Sequence, residues 1–172
     1  MQRYLICSDI HRNLDNFNKA LKMASGEGKI GKILIAGDLE LPPDKVADAI
    51  YNCSYFDKTP DFYMVKGNCD DYNCGLESDI VLDGLPGGHR IFLTHGHRYQ
   101  VKADMAVLAA VAHAKGCDIA VFGHTHIFYD DVQLGVRLLN PGALNFGYLS
   151  PNGFAILTLN DDGLIDFIHL AI

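Results

Sequence analysis

Short apolar runs recur along the chain, and each is bounded by glycine, proline or polar residues that are typical of turns. These runs predict strands. We assign strands to residues 4–7, 33–36, 62–65, 80–82, 90–94, 119–122, 128–134, 136–139, 154–159 and 164–168.

Helical spacing separates several of the predicted strands. Leu14, Phe17 and Leu21 fall on one face of a first helix that Asn13 caps. A second helix begins at the proline pair 42–43, and a third covers 103–115. After residue 126 the strands follow one another without long helices between them. The pattern therefore predicts an α/β chain.

Length and composition favour an ordinary globular protein. A chain of 172 residues with 49% hydrophobic and 20% charged residues can form a single core, and we see no linker or repeat, so we expect one domain over 1–172. The chain has no apolar span of 18 residues and no signal-like start, which argues against a membrane protein. Five scattered cysteines argue against a disulfide framework, and we expect a cytoplasmic location.

The net charge of −7 makes nucleic acid an unlikely partner, because binding to phosphate backbones depends on clustered Lys and Arg. Carboxylates that bind metals would contribute to this acidity. Nothing in the composition indicates an oligomeric state.

Five polar clusters follow predicted strands directly. They contain Asp, Asn or His and are Asp9-x-His11, Gly37-Asp38, Gly67-Asn68, His95-Gly-His97 and Gly123-His124-Thr-His126. Because ligands of open α/β sheets collect at the carboxyl ends of strands, we expect these clusters to converge.

Each cluster alone has an ordinary structural explanation. An Asp at a turn, an Asn in a left-handed turn and a surface His are all common. Cys69 and Cys74 could suggest a zinc knuckle, but no second cysteine pair accompanies them. Together, however, the clusters supply two Asp, one Asn and up to five His. That set is too large for one tetrahedral zinc and suits two divalent ions with mixed oxygen and nitrogen ligands.

The ordered motifs Asp-x-His, Gly-Asn-Cys-Asp, His-Gly-His and Gly-His-Thr-His, followed by Asn140-Pro-Gly, resemble the calcineurin-like metallophosphoesterase superfamily. The Gly-Asn-Cys-Asp variant and the short length are similar to its small prokaryotic phosphodiesterase branch. The resemblance implies a two-sheet β-sandwich flanked by helices, in a four-layer α/β/β/α arrangement. It also implies a small phosphodiester as the substrate.

The resemblance further implies a dinuclear metal centre, with Mn²⁺ as our first choice and Fe, Zn, Ni or Mg as alternatives. Asp38 would bridge the ions, because a carboxylate has two oxygens that can reach two cations, and a metal-bridging hydroxide would attack the phosphorus in line. The implied ligands are Asp9, His11, Asp38 and His126 for the first ion, and Asp38, Asn68, His95 and His124 for the second.

One departure from the superfamily concerns the leaving group. Many members carry His after the motif Asn, where this chain has Cys69, so efficient phosphomonoesterase activity is in doubt. His97 is the best remaining proton donor or transition-state contact, and a supporting hydrogen-bond role for it is the alternative. We count His97, Asp38 and Asn68 as the catalytic residues.

The alternative function is a catalytically weak protein-interaction scaffold of the same fold. A eukaryotic retromer subunit resembles this branch and serves mainly as an interaction platform, but its ligand set is degraded. The ligand set of this chain is intact, which favours an enzyme. A nuclease of the superfamily is disfavoured by the acidic charge and the small size.

Overall fold

The structure is a computed structural model that describes residues 1–147 and 149–172. Within these residues the strands are β1 (Gln2–Cys7), β2 (Ile30–Ile35), β3 (Asp61–Met64), β4 (Asp79–Leu82), β5 (Ile91–Thr94), β6 (Ile119–Val121), β7 (Phe128–Gln133), β8 (Val136–Pro141), β9 (Gly153–Leu159) and β10 (Ile165–Ala171). The α-helices are α1 (Leu14–Gly26), α2 (Pro43–Tyr51) and α3 (Ala106–Ala114). Short 3₁₀ turns occur at Pro86–Gly88 and His97–Tyr99.

The strands form two five-stranded mixed sheets. The first has the order β10-β9-β1-β2-β3, with β1, β2 and β3 parallel to one another. The second has the order β4-β5-β6-β8-β7, with β5, β6 and β8 parallel. Each sheet therefore has a parallel centre, where several strands end on the same side.

Three apolar cores hold the layers together. Residues of β1 alternate between two of them: Tyr4 and Ile6 face the second sheet, whereas Leu5 and Cys7 face α1 and α2. The third core lies between α3 and the outer face of the second sheet. Because the sheets pack on each other and carry helices outside, the predicted four-layer α/β/β/α sandwich is confirmed.

The predicted elements agree with the structure except in detail. The third helix begins at Ala106 and not at residue 103, because the chain forms a turn that ends at Ala103 and Asp104, whose amides both bond to the Gln100 carbonyl. The 3₁₀ turn at His97–Tyr99 was not predicted. No helix in the part of the chain that the structure describes is long and apolar enough to cross a membrane.

Candidate metal centre

All five predicted clusters lie at the carboxyl ends of parallel strands. Asp9, Asp38 and Asn68 follow β1, β2 and β3, while His95 and His124 follow β5 and β6. Main-chain bonds join the loops: the Asp9 amide donates to the Gly37 carbonyl, and the Gly123 amide donates to the His95 carbonyl. The two sheets thus present their polar loops to one common site.

Glycines permit this close approach at two loops. A Cβ added at Gly67 would collide with the Asp38 carboxylate, and one at Gly123 would collide with the Ser8 hydroxyl. The Gly-Asn and Gly-His motifs therefore have a packing reason as well as a chemical one.

The first donor group consists of Asp9, His11 and His126. Their donor atoms lie within 4.8 Å of one another. His126 Nε2 is 3.1 Å from Asp9 Oδ1 and 3.2 Å from His11 Nε2. Asp9 Oδ1 is buried and receives no hydrogen bond of suitable geometry among the described residues, whereas Oδ2 accepts from the Ser8 hydroxyl and the His124 amide.

The second donor group consists of Asp38, His95 and His124, again with donor atoms within 4.8 Å. Asn68 joins it, because its Oδ1 lies 3.2 Å from His95 Nε2. Asp38 Oδ2 is 3.2 Å from His95 Nε2 and 4.0 Å from His11 Nε2, so this oxygen lies between the two groups. All seven residues predicted as ligands are therefore brought together.

Three of the histidines are oriented by partners on the opposite side of the ring. His95 Nδ1 lies 2.7 Å from the Ala36 carbonyl, and His126 Nδ1 lies 2.8 Å from the Phe146 carbonyl. His11 Nδ1 lies 3.1 Å from the Glu40 carboxylate. These acceptors require a proton on Nδ1, which leaves the lone pair of a neutral ring on Nε2, facing the site.

The backbone at the site is held in a rare conformation. Five of the seven predicted ligands have positive φ angles: Asp9 (52°), His11 (43°), Asp38 (52°), His124 (68°) and His126 (59°). Left-handed backbone is uncommon outside glycine and concentrates at functional sites. Asp and His tolerate it better than branched residues do, which agrees with the residue types found here.

Burial and neighbouring charges shift the pKa values of several side chains in the two donor groups. Burial alone would raise the pKa of Asp38, but the hydrogen bond and charge of His95 and the Cys69 amide hold it well below its usual range. Burial would lower the pKa of His95, and contacts with Asp38 and Asp9 raise it above its ordinary value. Burial, together with the charge on His95, lowers the pKa of His124 to about 4. The contact of its Nε2 with the Asp9 carboxylate raises the pKa of His126.

His97 lies beside the second donor group. Its ring centroid is 5.3 Å from that of His95 and 6.1 Å from that of His124. Its Nδ1 is buried and has no hydrogen-bond partner among the described residues. Burial and the charge on His95 lower the pKa of His97, which favours the neutral ring.

Asp79 fixes the loop that carries His97. It accepts hydrogen bonds from the Thr94 hydroxyl at 2.7 Å and from the Tyr99 hydroxyl at 2.7 Å, on either side of the His-Gly-His motif. Arg98 also lies 3.6 Å from its carboxylate. Sequence reasoning missed this residue, since no motif marks it.

Cys69 is exposed and close to the cluster, within 4.8 Å of donor atoms of His11 and Asp38. Burial and the negative charge of Asp38 raise the pKa of the Cys69 thiol to about 11. A protonated thiol is a poor metal ligand, so Cys69 is secondary to the oxygen and imidazole donors.

Three further supporting residues were also missed. Glu40 orients His11, Asp70 accepts from the amides of Glu40 and Gly67, and the Phe146 carbonyl orients His126. Asp70 belongs to the Gly-Asn-Cys-Asp motif and could have been suspected from it. Glu40 and Phe146 gave no signal, because their roles depend on the folded loops.

Comparison with known proteins shows which family this chain is similar to. The sequence model of the calcineurin-like phosphoesterase superfamily domain matches residues 3–162. The probable metallophosphoesterase YsnB of Bacillus subtilis is 32% identical over 102 residues, which span 59% of this chain and 59% of YsnB. Phosphodiesterase YfcE of Escherichia coli is 24% identical over 189 residues, with 96% of each chain covered.

A solved structure shows the same fold. Vps29 of Entamoeba histolytica, in a complex with Zn²⁺, superposes with a TM-score of 0.68 at 25% identity and covers 98% of both chains. The family match covers more than half of the sequence, and the strand-end motifs that prompted the resemblance all lie within it. This chain belongs to the calcineurin-like phosphoesterase superfamily.

Proposed function

We propose that the protein is a dinuclear metal-dependent phosphodiesterase. The observation that carries this proposal is the orientation of the donors: in each group, several lone pairs face one point. Asp9 Oδ1, His11 Nε2 and His126 Nε2 converge in the first group. Asp38 Oδ2, Asn68 Oδ1 and His95 Nε2 converge in the second.

Such an arrangement is unfavourable unless a cation lies among the donors. With His11, His95 and His126 in the neutral tautomer that their Nδ1 partners set, Nε2 lone pairs and carboxylate oxygens face one another at 3.1–3.2 Å, and Asp9 Oδ1 receives no hydrogen bond of suitable geometry among the described residues. A mixed set of carboxylate, amide and imidazole donors fits divalent ions of the Mn, Fe or Zn type. The residues present therefore fit two metal ions, with Asp38 shared between them.

Two divalent ions in such a site supply a nucleophile from water at neutral pH and neutralise charge on the phosphoryl oxygens. The protein's part is to place the donors, and the hydrogen bonds from His11, His95 and His126 to Glu40, Ala36 and Phe146 do so. In the hydrolysis a bond forms between phosphorus and the water oxygen. The bond to the leaving oxygen breaks and the water gives up a proton, so that the leaving group departs as an alcohol or, when it is an activated aryl group, as the aryloxide.

We assign His97 to the leaving oxygen. It lies next to His95 and His124 but has a lowered pKa, which favours a neutral ring that donates a hydrogen bond in the transition state over a fully protonated acid. Such help matters most for poor leaving groups. We therefore expect diesters with activated aryl groups to react faster than alkyl monoesters.

The test joins metal analysis with a rate panel. The purified protein should bind about two equivalents of Mn²⁺ and hydrolyse bis(4-nitrophenyl) phosphate, with little activity after chelation. Fe, Zn, Ni and Mg should be compared in the same assay, because mixed oxygen and nitrogen sites accept several ions. A protein that binds no metal at these residues would contradict the proposal.

The scaffold function remains the second candidate. The similarity to Vps29 supports it, because that protein shares the fold. The intact donor set favours the enzyme, and so do the relatives named as phosphoesterases. Metal binding without turnover of any phosphoester would favour the scaffold. A cytoplasmic location and Mn²⁺ as the native metal also stay proposals.

A further inference from the structure

An apolar cleft of about 550 Å³ opens directly beside the metal centre. Its wall on the side of the centre is His124 and His126, and its other walls include Met105, Ile127 and Phe146. This volume is that of a small-molecule site. None of the catalytic roles assigned above requires a cleft of this composition.

Phe146 at the mouth of the cleft is unusual in two ways. Its side chain is 66% exposed, and its φ angle is 56°, a conformation that aromatic residues rarely adopt. Its ring lies 5.5 Å from that of His11, so it stands at the edge of the first donor group. Strained backbone concentrates at active sites and ligand clamps, so this exposed aromatic ring is a candidate for contact with a ligand.

The polar groups of the cleft indicate what it could bind. The Thr125 hydroxyl already bonds to Asn140, and the Tyr129 hydroxyl donates to Asp131. Among the described residues that line the cleft, Lys102 alone carries a permanent charge. The cleft thus offers apolar and aromatic surface with one cation, which suits a flat apolar group attached to an anion.

The position of His97 decides which part of a diester would enter. His97 is outside the lining of the cleft and sits beside the second donor group, where the leaving oxygen is assigned. We propose, on the basis of the function proposed above, that the cleft binds an aromatic ester group that stays on the phosphorus during hydrolysis. The preferred substrates are then diesters whose retained group is aromatic.

Two substrates with the same leaving group test this inference. Bis(4-nitrophenyl) phosphate and methyl 4-nitrophenyl phosphate both release 4-nitrophenolate, but they retain an aryl and a methyl group respectively. Phe146→Ala should lower kcat/KM for the diaryl substrate about five- to tenfold more than for the methyl substrate, mainly through KM. Phe146→Tyr, which keeps the ring, should restore the preference.

Leu134→Ala is the matched control, because Leu134 is also an exposed apolar residue with positive φ (61% exposed, 52°) but lies outside the cleft. Leu134→Ala should change kcat/KM equally for the two substrates. Equal losses on both substrates in Phe146→Ala would overturn the inference while leaving the phosphodiesterase function in place.

A binding measurement keeps the two proposals separable. If neither substrate is hydrolysed, the proposed function is wrong, and the cleft is then tested by titrating the metal-loaded protein with diphenyl phosphate and dimethyl phosphate. Tighter binding of diphenyl phosphate that weakens several-fold in Phe146→Ala supports the cleft as an aryl site. Equal binding of the two diesters, or no effect of the substitution, refutes it.

Discussion

Replacing Asp38 by Asn tests the sharing of one carboxylate between the two donor groups. The substitution keeps the shape of the side chain, and the amide oxygen can still accept from the Cys69 amide, as the carboxylate does at 2.8 Å. It removes the negative charge and puts an NH2 group, which cannot bind a cation, where Asp38 Oδ2 lies near both His95 and His11. Metal binding should fall in both groups, and activity should be lost.

The magnitudes differ for catalysis and for folding. Loss of a shared ligand removes about 4 kcal/mol of transition-state stabilisation, which is a rate decrease of about 10³-fold. In the metal-free protein, a charge-assisted hydrogen bond becomes a neutral one, which costs about 1 kcal/mol and lowers Tm by about 2–4 °C. Added metal at about 100 times its Kd should stabilise the wild type by about 2.7 kcal/mol and the variant far less.

The assay measures metal content per chain, Tm with and without Mn²⁺, and hydrolysis of bis(4-nitrophenyl) phosphate, all on the same preparations. Wild-type and Asp38→Asn proteins should differ little in the metal-free melt and strongly in the other measurements. Two bound ions and a near-normal rate in Asp38→Asn would show that Asp38 is not the bridging ligand.

Three further outcomes are expected. Asn68→Ala should reduce the metal content from two ions to about one, because Asn68 contacts only the second donor group. A loss of both ions would contradict the division into two groups. Metal affinity and activity should fall as pH drops below about 7, because the raised pKa values of His95 and His126 favour protonated rings, from which a metal must displace the proton. A flat profile down to pH 5 with metals retained would refute this. His97→Ala should slow the hydrolysis of alkyl diesters far more than that of 4-nitrophenyl diesters, by up to ~10²–10⁴-fold for the poorest leaving groups, at unchanged metal content. Equal slowing of both substrate types, or loss of metal, would instead make His97 a structural residue or a ligand.

The sequence predicted the strand ends well because two local signals coincide there. A buried strand gives a continuous apolar run, and the polar cluster that follows it interrupts the run sharply, as at Asp9 and His124. The convergence of the clusters follows from parallel strands and required no knowledge of the sheet order. The assignment of seven ligands to two ions and the single domain over 1–172 stay predictions.

Other features depend on contacts between distant segments, which periodicity does not report. The order β10-β9-β1 places the last two strands beside the first, although the intervening chain forms the second sheet. Glu40 orients His11 only because its backbone is left-handed and its amide is held by Asp70. In the sequence, Phe146 looks like any aromatic residue of a loop, and only the fold brings its ring close to that of His11.

The internal energetics of the site bear on the choice between enzyme and scaffold. Left-handed backbone destabilises a residue by about 1–2 kcal/mol, less for Asp, and five of the predicted ligands adopt it. Lone pairs of neutral imidazoles that converge on the buried Asp9 carboxylate add electrostatic repulsion to this. A chain used only as an interaction surface gains nothing from either cost, and substitutions that relieved them would be stabilising. The chain instead keeps the strained residues together with the glycines that allow Asp38 and Asp9 to approach the neighbouring loops. Binding of cations would offset this loss of stability, which agrees with the proposal that the working state of the protein carries metal.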